Sequence, residues 1–247
     1  MGTSCQDAHA YRISPTGELI VAIADGAGSA PRSAEGAALA VQSAVDSLTR
    51  ACEQGTMNDA EVWQVAMQRC FNDAINALSE LAEETGSPLA LFATTLTCAV
   101  LTTDMVVLGQ IGDGFVVAQD EENMVFSLSQ PQRGEYANEV YFLTMPQALN
   151  KVDISVHIMD MRALAMSTDG LLRLALRLPN FAPHPPFFTP LFNFVSQADD
   201  DELATRQLYE FLISPRVCAR TEDDKTLVLV SRDVPPIDAE LDDYLDA

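Results

Sequence analysis

Residues 19–40 read LIVAIADGAGSAPRSAEGAALA. An apolar run, Leu19 to Ala24, stops on an acid, Asp25; glycines and small residues follow, then helix-forming sequence from Ser33. The spacing predicts a strand over Glu18–Ala24 and a helix over Ser33–Cys52, with Ser33 as its N-cap. Asp-Gly is the common hairpin dipeptide, yet a hairpin needs a second strand, and here a helix comes next. Asp25 therefore reads as a carboxylate placed at a strand end, where Gly26 lets the backbone come close to a ligand and offer its own carbonyl.

The pattern recurs. Asp113 follows VVLGQIG and precedes Gly114, and Asp169 follows ALAMST and precedes Gly170. Asp223 and Asp224 stand just before TLVLV, and Asp7 lies in CQDAHAY ahead of another predicted strand. If the strands bring these ends together, the carboxylates repel by roughly 4 kcal/mol per pair at ~4 Å and an effective dielectric near 20. A raised pKa or a bound cation relieves that repulsion. Oxygen-only ligands suit a hard ion, magnesium or manganese. His9, His157 and His184 are scattered along the chain and read as ordinary core or surface residues.

Elsewhere the periodicity predicts a second helix from Asn58 to about Thr85, closed by Gly86, with Trp63, Met67, Cys70, Ala74, Leu78 and Leu81 at steps of three and four. Phe92–Thr103 and Met105–Ala118 read as a hairpin turning near Thr103–Asp104. Short strands are expected at Met124–Leu128, Val140–Leu143, Ile154–Met159, Arg162–Ser167 and Thr226–Ser231, and helices at Leu171–Leu176 and Glu202–Ile213. The Pro-rich, aromatic LPNFAPHPPFFTP reads as a loop packed on the body. Strands and helices come in blocks, which predicts an α+β fold with antiparallel sheets.

Composition narrows the function. The formal charge is −22, from 36 acids against 14 Lys and Arg, which argues against nucleic acid and anionic membranes as partners. No apolar run is long enough for a membrane span, and no secretory signal opens the sequence. Five widely spaced cysteines without a CxxC pair imply reduced thiols and a cytoplasmic chain. The expected layout is one domain over residues 1–233 and a solvated acidic tail over 234–247.

The ordered motifs CQDAHAY, VAIADGAGSAPRSAEGA, ATTLTCAVL, GQIGDG, MSTDGLL and EDDKTLVLV resemble those of the metal-dependent protein serine/threonine phosphatases of type 2C, over residues 5 to 230. GEYANEVYFLT and FLISPRVCARTEDDKTLVLV resemble a bacterial, phosphatase-like branch of that family. The resemblance implies a four-layer αββα sandwich, two antiparallel β-sheets flanked by helix pairs. It implies a two-metal Mn2+ or Mg2+ centre, with a third, looser ion. By motif Asp25 would bridge both ions, the Gly26 carbonyl would bind one, Asp169 and Asp223 would hold the other, Asp7 would bind directly or through water, and Asp113 would help hold the third. Asp25 and Asp169 would then act in catalysis through a metal-activated water that attacks phosphorus in line. The implied substrate is a phosphorylated protein, opposite a serine/threonine kinase, and the chain a monomer in signalling.

The sequence departs from the family where many members carry a phosphate-gripping Arg. That position holds Gly2, and Arg12 and Arg32 are the nearest cations by sequence. Gln6 stands where some members have Glu, and Ala27 where some have His. These departures open an alternative, a weak or inactive phosphatase-like domain that binds phosphoproteins. A magnesium-dependent hydrolase of nucleotides is a third reading, against which stands the absence of a GxxxxGK[ST] loop.

Overall fold

The computed structural model describes residues 5–55, 59–132 and 140–232. The expected tail at 234–247, the helix start at Asn58, and Gly2 lie outside them.

Two antiparallel sheets pack face to face, each with helices on its outer side. The first sheet has the order β1-β2-β3-β4-β7: β1 (Ala8–Ile13), β2 (Leu19–Ala24), β3 (Leu96–Leu101), β4 (Met105–Ile111) and β7 (Asp153–Ile158). The second has the order β11-β8-β5-β6: β5 (Phe115–Asp120), β6 (Val125–Ser129), β8 (Met161–Ser167) and β11 (Leu227–Ser231). The four-layer expectation holds, because alternate residues of single strands enter different cores. Ile20, Ala22 and Ala24 of β2 pack under α1 (Ser33–Gln54) and α2 (Ala60–Glu84) with Trp63, Met67 and Phe71. Val21 and Ile23 of the same strand face Val116, Leu164 and Met166 of the opposite sheet. Phe115 and Val117 of β5 face outward again, toward α4 (Pro185–Val195). Strands covered on both faces read as continuous apolar runs, which is why LIVAIA lacks alternation.

Several elements differ from expectation. Met105–Ala118 is not one strand: the chain breaks at 112–114, leaves the first sheet as β4 and enters the second as β5. The break is dictated by Gly112, whose φ of +111° L side chains rarely adopt. Val140–Leu143 forms no strand; Leu143 is buried and its N–H donates to the Thr94 carbonyl at 2.9 Å. The Pro-rich segment is not a loop throughout. Its end is α4, opened by Pro185 and Pro186, where a missing N–H costs nothing, and anchored by Phe188, Leu191 and Phe192 at helical spacing. It is preceded by β9 (Leu176–Arg177), paired with β10 (Ala182–Pro183). Leu171–Leu176 shortens to a single turn, α3 (Leu172–Ala175). Glu202–Ile213 corresponds to α5 (Asp201–Leu212), capped by Asp200, whose carboxylate accepts from Leu203 N–H at 2.9 Å. A last turn, α6 (Pro215–Cys218), leads toward β11. Ser33 is not the N-cap of α1. Arg32 takes that place, and the Ser33 hydroxyl instead accepts from Gln6 Nε2 at 2.6 Å.

All five cysteines are free thiols; Cys52, Cys70 and Cys98 are buried, Cys5 and Cys218 exposed. Among the described residues no helix is long and apolar enough to cross a membrane.

Candidate metal centre

The acids singled out in the sequence sit at one end of the sandwich, each held by its own backbone device. Asp25 leaves β2 where two threonines fix its peptide. Its N–H donates to Thr95 Oγ1 at 2.9 Å, and its carbonyl accepts from Thr95 N–H at 2.8 Å and Thr94 Oγ1 at 3.0 Å. Gly26 runs between the Gln6 carbonyl and Ser33; a Cβ there would lie 2.8 Å from each backbone. Only glycine fits that passage, and its N–H donates to Gln6 O at 3.2 Å.

Asp113 lies on the crossover between the sheets. The buried Gln110 side chain draws that turn shut, its Nε2 donating to the carbonyls of Gly112 at 3.1 Å, Gly114 at 2.7 Å and Gln130 at 3.1 Å. Gly112 itself rests on Thr95, where a Cβ would come within 2.4 Å of the threonine methyl. Asp169 opens the 3₁₀ turn after β8. Gly170 follows it because the Asp224 carbonyl would lie 1.8 Å from any Cβ.

Asp7 enters next to Asp25, since β1 pairs with β2 from Ala8 opposite Ala24. Thr168 Oγ1 donates to Asp7 Oδ2 at 2.9 Å and accepts from Thr226 N–H at 3.1 Å, so one hydroxyl links both ends of the chain. Asp224 adds a second link, its Oδ2 accepting from Gln6 N–H at 2.7 Å.

Of the predicted ligands, Asp25, Asp113 and Asp169 converge, with one oxygen from each within 4.8 Å of the others. Asp7 borders this trio, and its Oδ1 is buried without a hydrogen-bond partner. Asp223 stands outside the trio on the exposed wall of an adjoining cavity that Asp169 also lines. Thr94, Thr95, Gln110 and Thr168 hold the site together and were not foreseen, and Asp224, read only as an acid before the last strand, braces Gln6. The Thr-Thr pair and the second acid of EDDKT were visible as motif letters, but nothing in the sequence reveals their hydrogen bonds.

The electrostatics are those of crowded, half-buried acids. Asp25 is pushed up from the ordinary 3.8 to about 9, by burial first and then by the charges of Asp7, Asp169 and Asp113. Asp169 rises to about 7, through burial and then Asp113, Asp223 and Asp7. Burial also raises Asp7, although the Thr168 hydroxyl opposes it, and raises Asp113. Among the described residues no cationic side chain forms an ion pair with these carboxylates. Arg12 pairs with Asp46 at 2.7 Å, and Arg32 with Glu35 at 2.6 Å while lying over the Phe92 ring. Neither is free to grip a phosphate. Carboxylates within 4.8 Å of each other, an unpartnered buried Asp7 oxygen and an all-oxygen donor set fit hard divalent cations.

Face-packed sheets with an acidic cluster at one end form a scaffold suited to hard divalent cations. A sequence model of protein phosphatase 2C matches residues 1–213. The serine/threonine-protein phosphatase 3 of Escherichia coli (strain K12) is 35% identical over 233 residues, 91% of this chain and 90% of that protein. Two solved structures share the fold: the serine/threonine phosphatase Stp1 from Staphylococcus aureus (TM-score 0.62, 14% identity, 94% of this chain and 91% of that one) and the S. agalactiae serine/threonine phosphatase (TM-score 0.63, 13% identity, 94% and 95%). The chain belongs to the protein phosphatase 2C family. It is a phosphatase, and the family is metal-dependent.

Proposed function

We propose that this phosphatase hydrolyses phosphoserine and phosphothreonine on proteins at a centre of two Mn2+ or Mg2+ ions, with a third held more loosely. The observation that carries the reading is the convergence of Asp25, Asp113 and Asp169 without a cationic partner. Bound ions there supply Lewis-acid neutralisation of the phosphoryl oxygens and a nucleophilic water near neutral pH. Asp25 would serve both principal ions and the Gly26 carbonyl one of them, while Asp169 and Asp223 would hold the other. Asp7 contributes its unpartnered oxygen, kept in orientation by Thr168. Asp113, carried by the Gln110-braced turn, serves the third ion. Asp25 and Asp169 would act in catalysis by holding the ions whose bound water attacks phosphorus. Residues 1–233 form the catalytic domain and 234–247 an acidic tail. The setting is a cytoplasmic monomer that opposes a serine/threonine kinase.

The test is turnover of a phosphothreonine peptide with Mn2+ or Mg2+, then after chelation, then after the ion is restored. Activity that disappears and returns supports the reading. Equal turnover throughout overturns it.

A further inference from the structure

Beside the carboxylate cluster lies a cavity of about 630 Å³ whose walls include Asp169, Asp223, Glu222, Arg173 and Arg220. Arg173 belongs to α3, which continues the 3₁₀ turn begun by Asp169 four residues earlier. The two side chains therefore rise from neighbouring turns. Arg220 precedes Asp223 by three residues on the segment 218–223 that also lines the cavity. Both arginines are exposed, and neither guanidinium has a hydrogen-bond or ion-pair partner among the described residues. Most other arginines near structural elements are engaged: Arg12, Arg32 and Arg50 in ion pairs, Arg162 with Asn123, Arg177 with His184.

Two unengaged guanidinium groups facing one cavity stand out on a chain of charge −22. With Asp169 and Asp223 neutralised by cations, the fixed charges left on those walls are Arg173 and Arg220 against Glu222 alone. The volume is several times what a phosphoryl group fills and lies in the range that holds a ligand of several groups. The phosphoryl group belongs against the carboxylate cluster, and the arginines stand a turn away from it. Resting on the function proposed above, we infer that the cavity is a subsite for the segment flanking the phosphoresidue, where Arg173 and Arg220 select an Asp or Glu side chain. A guanidinium fork matches a carboxylate in geometry as well as charge. Two local cations also offset the repulsion that an acidic substrate meets at this surface.

The experiment uses the full chain with Mn2+ and three phosphothreonine peptides of equal length, with acidic, neutral or basic flanks. It compares the parent with Arg173→Gln, Arg220→Gln and the double variant. The parent is expected to favour the acidic over the neutral peptide by about fivefold in kcat/KM, mainly through KM, the scale of an exposed guanidinium–carboxylate pair. Each single variant reduces that ratio, and the double variant brings it to about one. Raising the salt erodes it in the parent. A parent without the preference overturns the inference, as does a preference that survives in the double variant. Equal proportional losses on all three peptides and on a small aryl phosphate also overturn it, since the arginines would then serve the scissile phosphoryl group. Calorimetric binding of the same peptides carrying a non-hydrolysable phosphonate reads the subsite without turnover. An acidic preference in binding with no hydrolysis by the parent supports the subsite and refutes the hydrolytic reading. No acidic preference in binding overturns the subsite whatever the turnover.

Discussion

Replacing Asp25 by Asn should stabilise the ion-free protein while it destroys activity. The carboxyl of Asp25 sits at about 9 in the folded chain against an ordinary 3.8. A carboxyl raised by folding binds a proton that the unfolded chain releases. Its unfavourable contribution is absent below the unfolded value, grows as pH rises from 3.8, and is complete near pH 9. At about 1.4 kcal/mol per pH unit, the proton uptake costs roughly 4 kcal/mol of stability by pH 7. Asn keeps the shape and both threonine contacts to the backbone, and carries no charge. The variant should therefore gain stability of order 4 kcal/mol at pH 7 in chelator, about 8–16 °C in Tm for a chain of this size. Urea unfolding in chelator from pH 5 to 9 is the assay. The parent should lose stability steeply with pH and the variant much less. Saturating Mn2+ should reverse the ranking, because two ions, each at a hundredfold excess over its Kd, stabilise the parent by about 5.4 kcal/mol together, more than the gap of order 4 kcal/mol. An Asn variant less stable than the parent in chelator, with the same pH slope, would refute the argument and leave Asp25 an ordinary turn residue.

Asp169→Asn should likewise abolish turnover. Its stabilising effect should saturate sooner, since Asp169 sits at about 7 and its penalty stops growing above that pH; unfolding at pH 6 and 8 checks this. Thr168→Val removes the donor to Asp7 and the acceptor for Thr226 N–H, both inside the fold. It should cost about 1–3 kcal/mol and raise the Mn2+ concentration for half-maximal activity, read from melts and a metal titration. Gly170→Ala places a methyl on the Asp224 carbonyl. It should displace the Asp223–Asp224 segment and weaken metal binding by calorimetry more than Gly86→Ala, whose added Cβ meets nothing within 4 Å.

The three converging acids of the candidate site were legible in the sequence because each carries a local pattern. An acid followed by glycine at the end of a buried run is a pattern within a few residues, and Asp25, Asp113 and Asp169 all carry it. The convergence of the three was not local, and it entered through the order of motifs along the chain. Elements failed where one rule masked another. Met105–Ala118 is β-forming throughout, so the single backbone inversion at Gly112 was hidden between two good strands. The prolines of the 179–190 segment suggested a loop, although two of them open a helix whose buried phenylalanines follow helical spacing. Ser33 carries a capping side chain, but Gln6, 27 residues away in sequence, recruits its hydroxyl. Thr168 and Gln110 act through contacts between distant segments, which no periodicity records.

The crossover at 112–114 gives the acidic cluster a mechanical meaning. Asp25 is fastened to one layer, Asp169 to the other, and Asp113 to the strand of chain that joins them. Between the layers the packing is mainly apolar, with Val21 and Ile23 set against Val116 and Met166. Stripped of cations, the three carboxyls oppose one another's ionisation at that end, and protons relieve the crowding in place of ions. Divalent cations held there would cancel that repulsion and fasten both layers to the segment that joins them.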